Sequence, residues 1–313
     1  MIPLAAAAED ESPELDPQAP HTHRDTARLG PLHLDHQDFE RLGAHFRWSW
    51  LDEALDPWRR FKNRLLDEWG LDFFIGYSPQ VQVGSQQRNR TFIGDRWELL
   101  GEWSLLESER LGDGMISFWF HRTLTIGSNR GAQYQRGMGS AWELNDLDTG
   151  NDDERNEIGW LWWEQRLLDD RVRLAVGKLD PDSFINANRF LFDDRILFNF
   201  GTLASDPVVT LNESVGLGAF AELRFGPAHV SGIWVDADAK TRSIDFGSLD
   251  NGRYSFGAEI GLKTEIDGLG EGNYRASWFR TDSERRGAPS KKSAMGWAIS
   301  IDQDLGDNFA SFL

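Results

Sequence analysis

Cysteine is missing from all 313 residues, which excludes a disulfide scaffold, a thiol catalyst and a Cys-ligated metal. Long apolar runs are missing as well; the longest are a few residues, far short of the roughly 18–20 that a membrane-spanning helix needs. Basic residues are scarce, with 33 Lys and Arg against 51 Asp and Glu, a net charge of -18. Such a chain is poorly suited to a nucleic-acid backbone, where Lys and Arg drive binding by displacing counterions. The hydrophobic share, 40%, lies below the usual range of about 45–50%. Aromatic residues are nevertheless abundant, with 14 Trp and 20 Phe, and that argues against disorder along most of the chain. A globular β or α/β protein remains, or a membrane β-barrel, whose lumen and loops dilute hydropathy while its lipid face concentrates aromatics.

Residues 1–30 read as a leader. Ala6 and Ala8 form the small-residue pattern that ends a secretory signal peptide, but the charged and apolar regions that should precede it are short. A signal-peptide remnant behind a misplaced start and an Ala-rich tail are both compatible with this. His21, His23, His33 and His36 cluster nearby in a spacing that matches no zinc pattern, and we expect neither metal nor cofactor.

Residues 31–70 read as a periplasmic segment ending in an amphipathic helix over 57–69. Pro57 suits a first turn, Phe61, Leu65 and Trp69 share one face, and Gly70 stops it. From Leu71 onward the period changes from 3.6 to 2. Trp97, Leu99, Trp103 and Leu105 alternate with Arg96, Glu98, Glu102 and Ser104. The same alternation of one apolar and one polar face recurs near Ile116, Val172, Val215, Tyr254 and Met295. We expect about ten strands over 71–313, near 71–82, 95–105, 114–126, 158–168, 171–179, 211–225, 228–236, 253–263, 273–281 and 294–303. The start of an eleventh is expected at 308–313.

The connections alternate in length. Links after the second, fourth and sixth strands are tight, such as Asp169-Asp170 and Gly226-Pro227, whereas those after the third, fifth and seventh are long. Outer-membrane barrels show this asymmetry, and a soluble sandwich has no reason to keep it. Trp97, Trp103, Trp160, Trp163, Tyr254, Trp278 and Trp297 fall near strand ends, as aromatic girdles at two membrane interfaces would place them. The fold class expected is therefore all-β, an antiparallel transmembrane β-barrel with a short N-terminal helix. The competing reading is a soluble β-sandwich carbohydrate-binding module, in which the apolar face would pack against a second sheet.

The segment from Ile158 to Phe184, with Glu164-Gln165-Arg166-Leu167, a tight turn, Gly177-Lys178 and a loop holding Asp180, Asp182 and Phe184, resembles the OprB-like carbohydrate-selective porin family. Weaker likenesses run from Trp58 to Gly76, from Val215 to Phe220 and from Gly296 to Leu305. The resemblance implies a sixteen-stranded barrel that passes sugars across the bacterial outer membrane as a monomer or a homotrimer, with membrane lipid and small carbohydrates as partners and no enzymatic activity. Only about ten or eleven strands can be counted here, so the chain is expected to be a fragment lacking its C-terminal third.

In such a barrel, strand parity points Glu98, Glu102, His121, Glu164, Arg166, Arg173, Glu222, Arg224, Glu259, Lys263 and Arg275 into the lumen, with Trp119, Trp162 and Phe279 as aromatic candidates for stacking against sugar rings. Close pairs of opposite sign, Glu164 with Arg166 and Glu222 with Arg224, suit a neutral polar solute better than an anion-selective ring would. The loop over 180–206 carries Phe184, Asn186, Asn188, Arg189, Phe190, Phe192, Phe198 and Phe200, and is expected to fold inward or against a neighbouring subunit and narrow the pore. Enzyme motifs are lacking: no nucleophile elbow, phosphate loop or zinc helix occurs.

Overall fold

The computed structural model describes residues 49–84, 91–129, 134, 154–186, 215–239, 242, 244, 249–282, 293–305 and 310–312. Among the described residues one helix, α1 (Ser49–Trp69), precedes eleven strands: β1 (Leu71–Val83), β2 (Thr91–Ser108), β3 (Gly112–Thr125), β4 (Glu154–Leu167), β5 (Val172–Leu179), β6 (Gly216–Phe225), β7 (Ala228–Asp236), β8 (Tyr254–Ile266), β9 (Gly270–Thr281), β10 (Ala294–Asp304) and β11 (Ala310–Phe312). The strands form one sheet in strict sequence order, each antiparallel to the next. Among the described residues no pairing joins β1 to β11. The leader (1–30) and the whole segment up to α1 (31–48) lie outside the described residues.

The period-2 alternation has the expected consequence, with polarity inverted relative to a soluble protein. On one face Trp97, Val176, Ile260, Trp297 and Ile299 are 51%, 57%, 63%, 73% and 60% exposed. On the other, Arg96, Glu164, Arg173, Glu222, Glu259 and Asp302 are buried. This overturns the sandwich reading. Among the described residues no second sheet covers the apolar face, and all eleven strands belong to a single sheet.

Turn lengths follow the sequence. The β4–β5 turn holds Leu168, Asp169 and Asp170 at φ of 56°, 53° and 63°, and aspartate tolerates that left-handed region better than most residues. The helix departs from expectation by starting at Ser49, which puts Pro57 inside it. The apolar spacing explains the extension, since Trp50, Ala54 and Leu55 continue the stripe of Trp58, Phe61 and Leu65.

One local feature escapes period counting. Trp119 pairs with Trp160 but Phe120 pairs with Ile158, which leaves Gly159 as an extra residue, a β-bulge. Beyond the bulge the parity of β4 reverses. Glu157 and Trp160, three positions apart, both face the sheltered side. Trp160, expected in an outward girdle, is instead buried, and its indole N–H donates to Ser117 Oγ at 3.1 Å.

Candidate functional site: a polar wall with an aromatic floor

Register brings the sheltered residues into rows that cross the strands. Arg166, Arg173, Glu222, Ser231, Glu259 and Ser277 are successive Cα partners from β4 to β9. All have the parity opposite to the exposed apolar set, so a single transverse row carries both charge signs and two hydroxyls.

Each charge in this wall meets a partner. Arg173 and Arg166 donate to opposite oxygens of Glu164 at 2.7 and 2.9 Å. Arg224 donates to Glu222 at 2.7 Å. Glu259 accepts from Ser277 Oγ at 2.7 Å and lies 3.2 Å from His229 Nε2. Arg275 donates to Asp302 at 2.7 Å and to Ser300 at 3.1 Å, while Asn273 donates to the other Asp302 oxygen at 2.7 Å. Towards β2, the Trp119 indole N–H reaches Glu98 at 3.2 Å, and His121 pairs with Glu157 at 2.8 Å. Lys263 stands 3.9 Å from Glu271 near the short-turn end. Glu102 shares the parity of Glu98 and pairs in register with Ser117, which is itself opposite Trp162.

Among the charges lies a continuous run of rings. Trp119, Trp160, Trp162, Phe184 and Phe220 follow one another at centroid separations of 4.7, 5.5, 5.0 and 4.6 Å. The Arg173 guanidinium lies 5.0 Å over Phe184 and 5.3 Å over Phe220, which couples the rings to the ion-pair network. Trp162, a stacking candidate from the sequence, is on the expected face but only 2% exposed. It packs in this cluster and presents no open face. Trp119 and Phe279 pack at its border and stay partly exposed.

The start of the loop after β5 supplies one of those rings. Asp180 accepts from Ser183 Oγ at 2.9 Å, Pro181–Ser183 form a 3-10 turn, and the amides of Phe184 and Ile185 bond to Pro181 O at 3.0 Å. Burial pushes the Asp180 carboxyl above its ordinary range, opposed by the Ser183 hydroxyl. Asn186, at φ 59°, donates its backbone N–H to Glu259 on β8 at 2.7 Å. The loop therefore begins against the sheltered face. Asn188, Arg189 and Phe190 lie outside the described residues.

His229, Asn273, Ser277, Ser300 and Asp302 complete the network without having been singled out in the sequence. All five sit at sheltered parity in strands that were anticipated, so alternation alone could have found them. Trp160 shares the parity of Trp162 and Glu164, so alternation places it there too; the residue that the Gly159 bulge hid is Glu157.

No family model matches this chain, and no curated protein does. Among solved structures the chain is similar to OprB of Pseudomonas putida in its high-pH structure, with a TM-score of 0.51 and 16% identity over 79% of this chain and 64% of OprB. This chain thus spans less than two thirds of the OprB length. The likeness shows the fold, an OprB-like β-barrel wall, and it agrees with the resemblance of the 158–184 hairpin.

Proposed function

We propose that this chain forms the wall of a water-filled outer-membrane channel, a porin, through which small neutral polar solutes of the sugar class diffuse. The observation that carries this reading is the inverted polarity of the sheet. A face whose charges are buried in ion pairs, backed by a face of exposed Trp, Ile, Leu and Val, is stable where hydrocarbon surrounds the outside and water fills the inside. In bulk water the exposed apolar band would be an aggregation surface.

The lining favours neutral solutes. Glu164 is balanced by Arg166 and Arg173, Glu222 by Arg224, and Asp302 by Arg275, so no ring of one sign forms across these strands. Paired carboxylates and guanidinium groups offer sugar hydroxyls both acceptors and donors. The partly exposed rings of Trp119 and Phe279 offer flat faces for C–H-rich ring surfaces. Nothing in this reading breaks a covalent bond; selectivity comes from width and lining groups.

The test is reconstitution. Conductance steps in planar bilayers, heat-modifiable migration on gels, and liposome swelling that slows as the sugar grows larger are the expected results. A compact protein that stays soluble without detergent and gives no conductance would overturn the reading.

A further inference from the structure

The helix α1 has a wider apolar stripe than its contact with the sheet can use. Its inner side meets the short-turn ends of β1 and β2: the Trp58 ring packs edge-on to Phe73 at 5.7 Å, and Lys62 lies 3.4 Å from Asp72 and 5.6 Å over the Phe73 ring. The helix end is pinned there as well, since the Trp103 indole N–H donates to Trp69 O at 2.9 Å and the Ser104 amide to Gly70 O at 2.8 Å. Phe73 and Trp103 belong to the outward apolar parity of their strands. Past this contact Trp50, Phe61 and Trp69 remain 65%, 47% and 63% exposed.

We propose that α1 is an interfacial anchor. It lies in the headgroup region of the leaflet at the short-turn end, with Trp50 and Phe61 inserted beside the acyl chains and basic residues facing anionic phospholipid phosphates. This rests on the channel reading above. Two observations select lipid as the occupant. The exposed aromatics continue the outward band through the Trp58–Phe73 contact, so a membrane covering Trp103 also meets the helix. Four bases, Arg59, Arg60, Lys62 and Arg64, fall within six residues midway along α1, with Arg60, which also pairs with Asp56, and Arg64 exposed. Aromatic residues on one side with Arg and Lys at the margin is the composition of helices that lie in a bilayer interface.

The absence of native cysteine makes the test direct. Single variants Phe61→Cys, Asn63→Cys and Val176→Cys of the full chain carry one spin label each, in vesicles of phosphatidylethanolamine with phosphatidylglycerol. Heat-modifiable migration confirms that each has folded. The expected result is a Phe61 label accessible to oxygen and shielded from a water-soluble nickel complex, with the reverse at Asn63, which lies on the opposite side of the helix. Substituting Arg59, Arg60 and Arg64 by Gln together should move the Phe61 label towards water. A Phe61 label in water, or one shielded from both reagents by another protein surface, overturns the proposal. Val176, on the outward band, separates the two readings: if its label sits in hydrocarbon while that of Phe61 is in water, only the anchor falls. Should the Val176 label also lie in water, the channel reading falls with it.

Discussion

The Glu259 carboxylate accepts the backbone N–H of Asn186 at 2.7 Å, which ties the first turn after β5 to a strand three places further round the sheet. The same oxygen accepts the Ser277 hydroxyl at 2.7 Å, and the side chain is buried. Hydrogen bonds to a charged group are each worth about 1.5–3 kcal/mol. Replacing Glu259 by Ala removes the acceptor for both donors and frees the loop start. Hydrogen exchange in the peptide around Asn186 should then accelerate by about tenfold or more, and single-channel conductance should change. Glu259→Gln keeps one acceptor oxygen and should show a smaller effect on both. Unchanged exchange in the Ala variant would mean that Phe184 and Ile185 hold the turn unaided.

Arg173 and Glu164 are both almost fully buried and joined at 2.7 Å. Removing one member of such a pair commonly costs about 3–5 kcal/mol, because the other charge is left without its partner. Arg173→Met also removes the cation that covers Phe184 and Phe220. We expect a marked loss of stability, read as a lower temperature for the gel-mobility shift. Arg224→Met should cost much less, since Arg224 keeps about a quarter of its side chain exposed. Equal losses in the two variants would contradict the ranking.

The Asp180 carboxyl is pushed up by burial, so the folded turn binds its proton more tightly than the unfolded chain does. The sign follows: any stability the turn gains from this group is complete below the ordinary carboxylate value of 3.8 and is lost as pH rises through the elevated one. Exchange at the Phe184 and Ile185 amides, corrected for its intrinsic pH dependence, should show better protection at mildly acid pH. Asp180→Asn should flatten that dependence. A wild-type turn whose protection does not vary with pH would remove Asp180 as its source.

Strand positions, the order of tight and long links, and the polar parity were legible because each rests on one short-range rule, the two-residue period of a strand. The pairs Glu164–Arg166 and Glu222–Arg224 lie two residues apart on one strand, so alternation was enough to bring them together. What parity could not show was depth. Trp162 and Phe184 meet only because the chain turns back at Pro181, a long-range event with no local signature. The Gly159 bulge is a second such case, since one unpaired residue inverts every assignment on its far side.

That bulge can be tested. A Cβ at Gly159 would lie 2.0 Å from the Trp119 ring, closer than any real contact. Gly159→Val forces Trp119 off Trp160, or pulls Gly159 into register and turns Glu157 away from His121. Overpacking of this kind costs about 1–3 kcal/mol. The expected outcome is a lower unfolding temperature together with altered Trp fluorescence. A variant indistinguishable from wild type by both measures would show that the bulge is not needed.

Val176 distinguishes hydrocarbon from water outside the sheet. It is 57% exposed at mid-strand, with Trp163 and Ala219 as its register partners on the same face. On a soluble protein an exposed Val→Arg change typically shifts stability by no more than about 0.5 kcal/mol. On the lipid face of a barrel, Arg near the midplane costs about 2–4 kcal/mol. Urea unfolding of Val176→Arg in vesicles should show the larger loss, while Arg in place of Leu111, exposed at the β2–β3 turn, should be nearly neutral. If both substitutions are neutral, the exposed face of this sheet does not meet hydrocarbon at all.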